Sequence, residues 1–106
     1  MSAGEIDTDF HGPRYRVHAY VCQNGKITHS ADEGFMSVVR LHQRRPAWCR
    51  FVVMTDASGQ ILVADMYHVS AMKHHDLHTF PRASVRLFGD LDTALMACIM
   101  GYDTPC

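Results

Sequence analysis

Apolar and polar positions alternate from Arg14 to Gln23, which places Tyr15, Val17, Ala19 and Val21 on one face and Arg16, His18, Tyr20 and Cys22 on the other. That period of two predicts a half-buried strand. Asn24-Gly25 follows at once, and a type I′ turn needs positive φ at both central residues, so a hairpin returning through Lys26–His29 is expected. Ser30-Ala31-Asp32-Glu33 has the form of a capping box, and Phe35, Val38, Val39 and His42 then fall on one helical stripe. The pattern predicts a helix over Ala31–Arg44 that stops before Pro46.

Trp48–Thr55 is almost continuously apolar or β-branched, as in a strand covered on both faces. Asp56-Ala57-Ser58-Gly59 reads as a tight turn, and Gln60–Val69 as the returning strand of a second hairpin. Ser70–Phe80 admits a short helix or an irregular crossover; three histidines within it favour the crossover. Pro81 forces a break, Ala83–Phe88 is a last strand, and Asp90 caps a final helix. Leu91, Leu95, Cys98 and Ile99 of that helix face inward, and Gly101 takes the position after its end.

The order ββαββ(x)βα predicts an α+β two-layer sandwich: an antiparallel or mixed sheet of about five strands with two helices on one face. If Ser70–Leu77 is helical the core resembles the ferredoxin-like βαββαβ pattern; otherwise it resembles the longin or profilin pattern, which is preferred. Phe51-Val52-Val53-Met54-Thr55-Asp56 and Val85–Leu95 resemble pieces of small bacterial STAS-like (anti-sigma antagonist-like) domains. The likeness covers under a fifth of the chain, with a hairpin where that family has a helix, and it carries over no functional residue.

With 106 residues, 47% of them hydrophobic, the chain has the make-up of one soluble domain, expected over residues 13–102. Residues 1–12 read as a flexible acidic lead-in without the basic and apolar regions of a secretory signal, and residues 103–106 as a tail. Cys22, Cys49, Cys98 and Cys106 form no CxxC, and the first three sit among apolar neighbours, so a cytoplasmic protein with free thiols is expected. A net charge of -1 provides no general attraction for nucleic acid or acidic membranes, and no apolar run reaches the length of a membrane span.

Eight histidines stand out, four of them (His68, His74, His75, His78) within eleven positions. With Asp76 they form a candidate site for zinc, nickel or copper, since imidazole and carboxylate suit such ions. His74 and His78 share one face if the segment is helical; as a solvated loop the same residues bind nothing, and no established zinc spacing is present. No other cofactor is implied. Arg40, Arg44 and Arg45 make a second candidate, because the rigid guanidinium fork suits carboxylate or phosphate. Asp65, on the same strand face as Ile61, Val63 and Tyr67, would be a perturbed carboxylate there, or an edge-strand charge in solvent.

No GxSxG, GxGxxG or GxxxxGK is present, which weighs against an enzyme. The expected function is therefore a small non-enzymatic interaction or regulatory module, a homodimer that acts through a protein partner by its Arg40/Arg44/Arg45 face or a sheet edge. A histidine-cluster metal protein is one alternative. A small enzyme with its site between the sheet and loop 70–80, using Asp65 and His68 as base and acid, is the other.

Overall fold

The structure, a computed structural model, describes residues 12–69 and 76–100. Strand β1 (Tyr15–Cys22) pairs antiparallel with β2 (Ile27–His29) through the Asn24-Gly25 turn. Gly25 has φ +89°, and a Cβ there would lie 3.3 Å from the Ile99 carbonyl oxygen, so glycine serves both the turn and the close approach of the last helix.

The chain then departs from expectation. Residues 31–34 are not helical; Gly34 has φ +76°, and Phe35–Met36 (β3) pairs with Arg16 and Tyr15 instead. Helix α1 (Val38–Arg44) starts seven residues later than predicted, because Ser37, not Ser30, accepts the Arg40 N–H as its N-cap. Ser30 turns its hydroxyl to the Ala31 carbonyl, and Glu33 reaches Arg44.

Strand β4 (Cys49–Asp56) runs antiparallel to both β1 and β5 (Ile61–Asp65), and β6 (Val85–Phe88) pairs with β5. The sheet order is β2-β1-β4-β5-β6, with β3 on the end of β1. Strand β5 is shorter than predicted. The Asp65 carboxylate accepts the Tyr67 N–H, and the chain turns into a single helical turn, α2 (Met66–Val69). After the undescribed residues 70–75, Leu77–Thr79 forms a 3-10 turn, and α3 (Leu91–Ile99) is capped by Asp90 as expected.

Two irregularities in the β1–β4 ladder decide which side chains meet. Val17 is opposite Met54 but Ala19 is opposite Val53, which leaves His18 as a bulge. Tyr15, Val17 and Tyr20 therefore share a face with Val52 and Met54, while Ala19 and Val21 join Phe51 and Val53 on the other. Val21 pairs with Phe51 and Cys22 with Cys49, which bulges Arg50.

The sheet thus carries an apolar cluster on each face. One holds Leu41 of α1, Met66 and Val69 of α2, Leu77 and Phe80; the other holds Ala94 and Cys98 of α3. The α+β sandwich of sheet and helices is as expected, with one correction: α1 and α3 divide the two faces instead of sharing one. The physical reason is the alternation of β4 and β5, where buried residues on successive positions leave neither face polar. The preferred order of two strands, a helix, three strands and a helix holds for the main elements. Among the described residues no helix is long and apolar enough to cross a membrane.

Candidate functional site

Helix α1 presents a basic face. His42 and Arg44 lie in its last turn, where cations interact favourably with the exposed carbonyls, and Arg45 caps the end by donating its N–H to the Leu41 carbonyl. Val38 and Leu41 anchor the helix in the core, so Arg40, His42 and Arg45 are drawn into half-buried positions around them. Arg44 pairs with Glu33 at the surface. Three nitrogen atoms, Nη1 of Arg40, Nε2 of His42 and Nε of Arg45, are out of contact with solvent and have no hydrogen-bond partner among the described residues. Burial pushes the His42 pKa below its ordinary 6.5, and the Arg45 charge adds to the shift.

This face is cationic and rich in donors. The guanidinium forks of Arg40, Arg44 and Arg45 suit a carboxylate or a phosphate. Arg40, Arg44 and Arg45 were legible as a candidate from sequence. His42 was missed as a member, although its i, i+3 spacing to Arg45 was the available signal.

The histidine cluster fares differently. His78 Nε2 lies 2.8 Å from Asp56 Oδ2, at the turn end of the β4–β5 hairpin. Asp76 Oδ1 accepts the His78 N–H and caps the 3-10 turn, and Tyr15, whose hydroxyl accepts the Leu77 N–H, lies against it. His68 sits at the opposite end of the same hairpin, with Nδ1 3.6 Å from Asp65 Oδ2. Asp65 pairs in register with Phe51 and Ile61 with Thr55, so four strand positions, roughly 13 Å, separate the two sites. His68 and His78 therefore do not converge, and no group of three metal-ligating side chains occurs among the described residues. His74 and His75 lie outside the described residues.

Asp65 is not a solvent-exposed edge-strand charge. Its carboxylate is fully buried and accepts from Arg50 Nε at 2.9 Å and Nη2 at 3.0 Å, as well as from the Tyr67 N–H. Arg50, freed from the ladder by its bulge, also lies over the rings of Phe51 and Tyr67. A carboxylate whose lone pairs are engaged by a bidentate guanidinium holds the end of β5 in place.

A cavity of about 360 Å³ opens beside β6, lined by Leu77, His78, Phe80, Arg82, Val85 and Arg86 among others. Among the described residues its lining has no carboxylate, and sequence reasoning did not single it out. No protein-family model matches this chain, and neither a curated protein nor a solved structure matches it.

Proposed function

We propose that this protein is a non-enzymatic interaction module whose basic α1 face receives an acidic segment of a protein partner. The observation that supports the reading is the clustering of Arg40, Arg44 and Arg45 along and just past the end of α1. A guanidinium fork takes a carboxylate in a two-point geometry. Self-association belongs to the same reading. Met96, Ile99 and Met100 lie three and four positions apart along α3 and are each more than half exposed, which favours a symmetric pairing of α3 with its copy.

The test is fluorescence polarisation with a labelled acidic peptide rich in glutamate, at low and at physiological salt. Binding that weakens tenfold or more in an Arg40→Glu/Arg44→Glu/Arg45→Glu variant with unchanged circular dichroism supports the proposal. Equal binding by the two proteins removes the α1 face from consideration. A duplex oligonucleotide that binds more tightly than the peptide would overturn the choice of partner.

A further inference from the structure

Cys22 and Cys49 are far apart in sequence, yet the Arg50 bulge places them directly opposite one another at the end of the β1–β4 ladder. Neither backbone N–H is directed at the other: that of Cys22 donates to the Lys26 carbonyl and that of Cys49 to the Pro46 carbonyl. The pair therefore has the narrow, non-hydrogen-bonded spacing of an antiparallel ladder, with Cα atoms about 4.5 Å apart. Disulfide bonds need Cα separations of roughly 4.4–6.8 Å, and side chains of opposed residues leave the sheet on the same side.

Both thiols are free, and each donates a weak S–H hydrogen bond to a carbonyl oxygen. Cys22 Sγ donates to Asn24 Oδ1, and Cys49 Sγ donates to the Phe51 carbonyl. Their access to solvent differs. Cys22 is partly exposed and lines a cleft with Lys26, Thr28 and Trp48, whereas Cys49 is buried. Burial also pushes the Cys49 thiol up to about 11, so Cys22 is the group that meets a reagent first.

We propose that Cys22 and Cys49 are a redox modification site that closes to a cross-strand disulfide by exchange with a small-molecule disulfide such as glutathione disulfide. The Cys22 thiolate attacks one sulfur of the reagent, forming a mixed disulfide and expelling one glutathione thiolate. The Cys49 thiolate then attacks the Cys22 sulfur and expels the second. Two protein thiols are oxidised to one disulfide, the reagent is reduced to two thiols, and the two protein protons pass to the departing thiolates. The bond closes residues 22–49 into a loop that holds β2, β3 and α1, and so fixes the start of β4 to the end of β1.

The experiment treats the full chain, carrying Cys106→Ser to remove that thiol, with glutathione disulfide. Intact mass and non-reducing peptide mapping read the product, and fluorescence of the single tryptophan, Trp48, reads the cleft. The expected result is loss of two hydrogens, a peptide pair joined through Cys22 and Cys49, and a fluorescence drop that dithiothreitol reverses. The same treatment of a Cys22→Ser variant leaves Cys49 unmodified. A lasting glutathione adduct on Cys22 with Cys49 still free overturns the proposal, as does a link between Cys49 and Cys98 or between the Cys22 residues of two chains.

Discussion

The Asp65 carboxylate has no solvent access and depends on Arg50 for its charge balance. Removing one partner strands the other charge, so Asp65→Ala is expected to lower unfolding free energy by about 3–5 kcal/mol in urea titrations. An Arg50→Met/Asp65→Leu double variant should recover much of that loss, since an apolar pair of similar volume leaves no orphaned charge. His42 supports a second expectation. Its native pKa lies below the unfolded 6.5, through burial first and the Arg45 charge second, so the unfolded chain binds more protons as pH falls. Stability should therefore drop between pH 7.5 and 5.5, with His18 contributing in the same sense because burial and Arg16 lower its pKa too. Urea midpoints at the two pH values check this, and His42→Gln should flatten the slope. None of these environments was legible residue by residue. Asp65 looked like an edge-strand charge because its partner, Arg50, reaches it only through a bulge in another strand.

At the scale of elements, the sequence pointed to Ser30 as the N-cap of the first helix, and tertiary pairing moved the cap to Ser37. Phe35 and Met36 contribute more as a strand on β1, where Met36 is buried, than as the first turn of a helix containing Gly34. Ser37 then becomes the cap, fully buried, and Ser37→Ala is expected to cost about 1 kcal/mol by thermal or urea unfolding. The shortened β5 has a similar origin. Val63, Ala64 and Asp65 continue an alternating pattern into Tyr67 and Val69, but the Asp65 side chain captures the Tyr67 N–H and ends the ladder. The final helix and its Asp90 cap were correctly anticipated. Its inward face was anticipated in part: Cys98 is buried and Leu91 and Leu95 pack against the same cluster, whereas Ala94 is buried as well and Ile99 is exposed.

For the whole molecule, the decisive feature is a sheet with an apolar cluster on each face. Among the described residues the helix on one face is α3, and Met96, Ile99 and the C-cap residue Met100 are its exposed apolar side chains. If that stripe is the dimer surface, sedimentation equilibrium should show a concentration-dependent dimer, and Met96→Lys/Ile99→Lys should leave monomer with little change in melting temperature. A wild-type monomer at high concentration would dismiss the surface.

What the sequence determined by itself was local: two hairpin turns with glycine at positive φ, a central apolar strand, the Asp90 cap and the basic run through Arg45. Each follows from a residue's own conformational preference or from neighbours a few positions away. The tertiary structure alone decided the two bulges in β1–β4, and with them the Arg50–Asp65 pair and the opposition of Cys22 and Cys49. It likewise sent His68 and His78 to opposite ends of one hairpin. Register between strands depends on how both faces pack at once, and a one-residue shift changes which side chains meet. No pattern confined to one segment carries that information.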